Sequence, residues 1–244
     1  MLKRLLIIIS CTASGLSGSP GLCAALPDFT ATYEVSRGAL TIGTARLALT
    51  REPGGGYHYE SHSWPARLAG LFNKDRLHET SSGQFSDSGL RPDKYHYLRT
   101  GGNMERVAHL TFDWAANVVV NNVAGSRWKM SVPNGTQDKL STRLGMMQAL
   151  ARGETDFTFD VADGGTLKQY RYKVLGRETL ELPAGTFSAV KVTELRGDER
   201  RKTWVWCAPA LNYLPVQIIR QEKNDARYVS HLEGFSDTLR VRHE

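Results

Sequence analysis

Apolar and polar residues alternate with period two along most of the chain, the pattern of strands that bury one face. Over 29–36, Phe29, Ala31, Tyr33 and Val35 point one way and Thr30, Thr32, Glu34 and Ser36 the other. A second strand is expected over 39–50, with a bulge around Gly43, where the apolar parity passes from Leu40 and Ile42 to Ala45, Leu47 and Leu49. The same reading predicts strands over 57–63, 74–80, 83–85, 94–100, 106–114, 118–123 and 127–132, then over 156–161 and 170–174. It ends with strands over 186–194, 201–207, 214–221 and 227–232. Trp64, Pro65 and the apolar segment to Phe72 interrupt the pattern and suggest a turn of helix or a loop flap.

One stretch breaks the period. Over 138–153, Leu140, Leu144, Met147 and Ala151 form a stripe that Met146 and Leu150 widen, the spacing of a helix half buried against something apolar. Asp138 suits the N-cap and Gly153 the C-terminal end. Arg143 falls inside the apolar arc; its stem can lie on the core while the guanidinium snorkels to water, or it can meet a buried partner or an anionic headgroup. The short connections and the absence of βαβ spacing favour an all-β fold. The expectation is a large curved antiparallel sheet or barrel-like meander of roughly a dozen strands, with one covering α-helix.

The first residues change the picture of where such a fold resides. Lys3 and Arg4, then the apolar Leu5 to Ile9, then Cys23, Ala24 and Ala25 read as an export signal over 1–25. A single β-rich domain over 26–244 follows. The expected compartment is the periplasm, and lipid anchoring at Cys11 is the lesser alternative. Removing Lys3 and Arg4 takes the formal charge from +6 to +4. The remaining basic residues are scattered, which argues against nucleic acid, and at most peripheral membrane contact is expected. With Cys11 and Cys23 gone only Cys207 survives, so no intramolecular disulfide can form and a large core must hold the fold.

Candidate chemistry is sparse. His58, Glu60 and His62 share one strand face, but His58 and His62 stand about 13 Å apart and cannot share an ion on a straight strand. One of them joined by His78, His96 or His109 could; no metal and no cofactor is expected. No nucleophile elbow, His-Glu-x-x-His helix or phosphate-cradling loop is present. The lone Cys207 reads as an inert buried thiol. Aromatic pairs two apart, Tyr57 and Tyr59, Phe157 and Phe159, Tyr170 and Tyr172, Trp204 and Trp206, each point to one face of a strand. They read as sheet core, or as the lining of a groove suited to acyl chains or sugars.

Asp138, Leu140 and Ser141 at the helix start resemble an exported bacterial family, the domain of unknown function 3108. So do Pro183 to Phe187, with Gly185 and Phe187 opening a strand, Trp204 to Trp206, and the Tyr213, Leu214, Pro215, Val216 run. The likeness runs from about Phe29 to Leu232 and implies a β-rich, barrel-like envelope protein; it carries no catalytic motif. An aromatic and an arginine would be expected about where Gly145 to Met147 stand.

The leading functional expectation is a non-enzymatic envelope protein that binds or carries an amphiphilic or glycan ligand. Arg143, Leu144, Met147, Tyr170, Tyr172, Trp204 and Trp206 are its candidate contacts. One alternative is a structural or assembly factor acting through an envelope protein partner, with a filled core. Another is a hydrolase with an unrecognised site, whose activity would fail when Glu60 or His62 is replaced by alanine.

Overall fold

The structure, a computed structural model, describes residues 26–66, 74–86, 89–102, 105–123, 125–195, 197 and 200–237. The expected export signal over 1–25 and the segment 67–73 lie outside the described residues.

Among the described residues, fifteen strands form one sheet. In chain order they are β1 (Phe29–Arg37), β2 (Leu40–Arg51), β3 (Gly56–Pro65), β4 (Arg76–Ser86), β5 (Gly89–Thr100), β6 (Arg106–Asp113), β7 (Val118–Val123) and β8 (Ser126–Ser131). A two-residue β9 (Gln137–Asp138) and the helix α1 (Ser141–Ala151) follow. The rest are β10 (Asp156–Asp163), β11 (Thr166–Leu182), β12 (Gly185–Leu195), β13 (Lys202–Ala208), β14 (Leu214–Gln221) and β15 (Arg227–Asp237). The spatial order runs from β8 down to β1, then from β15 down to β9. Each strand therefore pairs with its chain neighbour, and β1 pairs with β15, but β8 and β9 do not pair. The sheet is a barrel-like meander left open at that one seam. All its pairings are antiparallel except β9 with β10, where Gln137 and Asp138 run parallel to Val161 and Ala162.

Several expectations shift in detail. The bulge expected at Gly43 is present, as a register shift opposite Val35 and Ser36. The segments 74–80 and 83–85 are one strand, β4, whose inward parity runs unbroken through Glu79, Ser81 and Gly83; the register shift beside Gly83 comes from an extra residue, Asp93, in β5. Gly83 has no room for more: a Cβ there would lie 2.1 Å from the Arg91 carbonyl oxygen. Trp64 and Pro65 continue β3. The strand expected over 170–174 belongs to a 17-residue β11. The tip of its hairpin with β12 folds back on β15, where the Ala184 N–H donates to the Leu232 carbonyl at 3.3 Å.

The helix starts three residues later than expected, and its surroundings differ from those of an amphipathic cover. Nine of its eleven residues are buried. Leu140, Leu144 and Met147 enter the larger core, which β1 to β7 share with residues of β10 and β12 to β15, while Met146, Ala149 and Leu150 pack on Phe157, Tyr172, Val190, Val192, Val205 and Cys207. The helix thus sits between the two ends of the sheet. Asp138 still caps it, from its place in β9: its Oδ1 accepts the N–H groups of Leu140 and Ser141, both at 2.8 Å, and the Ser141 hydroxyl accepts the Asp138 N–H at 2.9 Å. At the far end Gly153, with φ +80°, closes a Schellman turn: its N–H donates to the Leu150 carbonyl and that of Glu154 to the Ala149 carbonyl.

Side chains bridge the seam where the backbone does not. The Trp128 Nε1–H of β8 donates to the Gly165 carbonyl at 3.3 Å, the Gln137 amide to the Leu90 carbonyl at 2.8 Å, and the Ser81 hydroxyl to Asp138 Oδ2 at 2.6 Å. Gly165 combines a φ of +78° with close packing, since an added Cβ would lie 2.3 Å from the Trp128 ring. Gly165→Ala is therefore expected to destabilise by more than the ~1–2 kcal/mol of the backbone conformation alone. A thermal melt measures the loss, and an unchanged melting temperature would show that Trp128 does not latch the seam.

Candidate functional site at the sheet seam

The space beneath the helix is filled. Leu144 and Met147 are enclosed by the larger core. The gap at Gly145 is occupied by the Phe159 ring, which an added Cβ would meet at 3.0 Å. Arg143 is partly exposed, and its guanidinium donates to the Tyr59 hydroxyl, with Glu79 and Tyr33 close by. Burial opposes its charge, but these three neighbours outweigh burial and hold its pKa above the ordinary value. Burial pushes Tyr59 up to about 12 even though Arg143 pulls it the other way. Nearby, the Tyr95 hydroxyl donates to Glu79 at 2.6 Å and the Tyr33 hydroxyl to the Pro215 carbonyl at 2.7 Å. The Ser81 hydroxyl lies 3.1 Å from that of Tyr57 and donates to Asp138. This is a polar network inside an apolar core; its bonded members tie the helix and its cap to β3 and β4, and β1 to β14.

The aromatic candidates fall in different places. Phe157 stacks on Tyr172, with ring centroids 5.5 Å apart, beneath the helix. The Tyr170 hydroxyl donates to Asp163 at 3.0 Å. Trp206 lies on the opposite face of β13 from Val205 and Cys207, so that strand is buried on both sides. Its Nε1–H donates to Glu178 at 2.7 Å, and the Lys191 ammonium sits 4.8 Å from its ring centroid. Trp204 packs half-buried beside it. Burial pushes the Cys207 thiol far up, which leaves little nucleophilic thiolate.

A cleft of about 420 Å³ opens where the two ends of the sheet approach each other. Tyr95 and Tyr97 of β5, Val107, Ala108 and Leu110 of β6, and Asn121 and Val123 of β7 line one wall; Lys139, Ala162, Asp163 and the Gly164–Gly165 turn line the other, with Glu105 and Arg106 at the rim. Lys139 ties the walls together, its ammonium 4.0 Å from Asp163 and 5.7 Å from the Tyr97 ring centroid. Burial works against the Asp163 carboxylate, but Lys168 at 2.7 Å, Lys139 and Tyr170 more than offset it and hold its pKa below the usual value. Asn121 is buried, and among the described residues neither its amide nitrogen nor its amide oxygen has a partner.

Of the residues proposed from sequence, only Tyr170 reaches this cleft, through its bond to Asp163. The cleft itself was not legible because Lys139 and Asp163 meet Tyr95, Tyr97 and Asn121 only across the seam. One signal was present: Asn121 shares the inward parity of Val119 and Val123, so a polar residue stands on the apolar face of a strand.

The histidines lie elsewhere, on the outer face of β3 to β6. His78 meets Glu60 at 2.7 Å, the His62 ring is 5.1 Å from that of His78, and His96 stacks on His109 at 4.4 Å. Burial and the neighbouring His109 and His78 lower the pKa of His96. Among the described residues, Glu34, His231 and Glu233 bring three donor atoms within 4.8 Å of one another, also on the outside of the sheet.

An open β-meander wound around a buried helix, with no helix among the described residues long and apolar enough to cross a membrane, defines a barrel-like β protein. The chain belongs to the family described as protein of unknown function DUF3108, whose model matches residues 29–230. No curated protein matches it. Among solved structures it is similar to a β-barrel-like protein of domain of unknown function DUF1849 from Brucella abortus, with TM-score 0.57, 8% identity, and 87% of this chain and 98% of that chain covered. Weaker likenesses are a lipoprotein candidate from Parabacteroides distasonis (TM-score 0.32, 11% identity, 86% and 95% covered) and an exported-protein candidate with a YmcC-like fold from Bacteroides fragilis (TM-score 0.35, 12% identity, 87% and 98% covered).

Proposed function

We propose that the protein is an exported, non-enzymatic envelope protein that holds an amphiphilic or glycan ligand in the cleft at the seam. The observation that carries this reading is the cleft itself: it is of small-ligand size, walled by both ends of the sheet, and it combines apolar side chains with convergent polar groups. The export reading rests on Lys3, Arg4 and the apolar run to Ile9. Native mass spectrometry of protein purified from the periplasm tests it. A co-purifying lipid or saccharide mass is expected, and Ala108→Trp, which fills the cleft from its half-exposed wall, should lose it. A clean apo mass, with no binding to a panel of envelope lipids and glycans, overturns the reading.

The filled space beneath the helix favours a second reading, an assembly factor with an envelope protein partner. Leu175 and Leu195 stand exposed on the paired strands β11 and β12, apolar side chains that such a partner would cover. An envelope complex that co-purifies with the wild type and is lost in Leu175→Glu, without any small ligand, would install that reading.

A further inference from the structure

We infer that the ligand of the seam cleft is a saccharide, and that Asn121 is the residue that selects it. This rests on the reading of the cleft as a ligand site and names the chemistry that fills it. Asn121 occupies the inward side of β7 between Leu110 and Trp128 in the strand register, with Val119 and Val123 on the same face. No described protein group meets either end of that amide, and a buried amide that gains no bond in exchange for its contacts with water is destabilising. A ligand that supplies an acceptor to Nδ2 and a donor to Oδ1 removes that penalty.

Three features narrow the ligand. The amide presents one donor and one acceptor side by side, and adjacent hydroxyls on a sugar ring offer the complementary pair, since each hydroxyl both donates and accepts. The floor around it, Leu110, Val123 and Ala162, suits the C–H face of a sugar ring, and Tyr97 stands beside it. The rim is balanced, with Lys139 and Arg106 against Glu105 and Asp163. A rim of cancelling charge does not select phosphate or another anion, but it can bond peripheral hydroxyls of either polarity. An acyl chain in the same place would leave Asn121 as unpaired as before.

Isothermal titration with maltose, lactose, cellobiose and N,N′-diacetylchitobiose, and with lysophosphatidylglycerol as the amphiphile, tests the inference on the full mature chain. At least one disaccharide should bind, and Asn121→Leu should weaken it tenfold or more without lowering the melting temperature. Asn121→Val serves in the same role if the leucine variant does not fold. Binding of lysophosphatidylglycerol alone, retained in the variant, overturns the saccharide assignment while leaving a ligand cleft. Disaccharide binding that survives both substitutions removes Asn121 from the site. Failure of every probe, together with a clean apo mass from the periplasm, overturns the cleft reading as well.

Discussion

Replacing Leu144 by alanine is expected to cost about 2–5 kcal/mol of stability, and replacing it by glutamate to leave no folded protein. Leu144 is fully buried, in a helix that is itself enclosed on nearly every side. The alanine removes three heavy atoms from a packed interior and leaves a cavity. The glutamate adds a carboxylate with no counter-ion placed to meet it, because Arg143 is already engaged by Tyr59, Glu79 and Tyr33. Urea denaturation followed by circular dichroism measures the first effect, and recovery of soluble protein the second. A folded Leu144→Glu variant with near-normal stability would show instead that the helix lies over an open space.

That result bears on how much of the molecule its sequence discloses. Local alternation sufficed for strands such as β1 and β10, where Phe29, Ala31 and Tyr33, or Phe157 and Val161, face inward in step. It failed where inward positions carry no apolar side chain and where the register shifts inside a strand. Glu79, Ser81 and Gly83 continue the inward parity of β4 with nothing apolar to mark it, and the shift between Val174 and Gly176 hid the second half of β11. The helix pattern identified the helix but not its burial, because a stripe of Leu140, Leu144 and Met147 looks the same whether the opposite side meets water or Phe159 and Tyr172. The site was hidden for a related reason. The seam exists because β8 and β9, consecutive in the chain, are the one consecutive pair that does not bond, and no local pattern reports a missing long-range pairing.

Asp138 should impose a distinctive pH dependence. Burial raises its pKa from 3.8 to about 6, although hydrogen bonds from Ser81, Ser141 and Leu140 pull it down. Its folded pKa stands above the unfolded one, so between about pH 4 and 6 the folded protein holds a proton that the unfolded chain has released. Over that window the contribution of Asp138 to stability falls as pH rises, by about 3 kcal/mol in all, and it is constant above. Asp163, whose pKa is lowered, works in the opposite sense and loses its contribution as pH falls, so the raw stability profile mixes the two. The difference between wild type and Asp138→Asn isolates the buried group. Urea denaturation at pH 4, 5, 6 and 7 should show that difference declining from pH 4 to 6 and level from 6 to 7, and a flat difference throughout would mean the carboxylate is no harder to ionise in the fold than outside it. Asp138→Ala, measured at pH 7, should fall by at least ~2 kcal/mol, because it leaves the N–H groups of Leu140 and Ser141 and the Ser81 hydroxyl without their acceptor. The same carboxylate caps the helix and, through Ser81, ties β9 to β4 across the seam, so its loss should also loosen the wall of the cleft that carries Lys139.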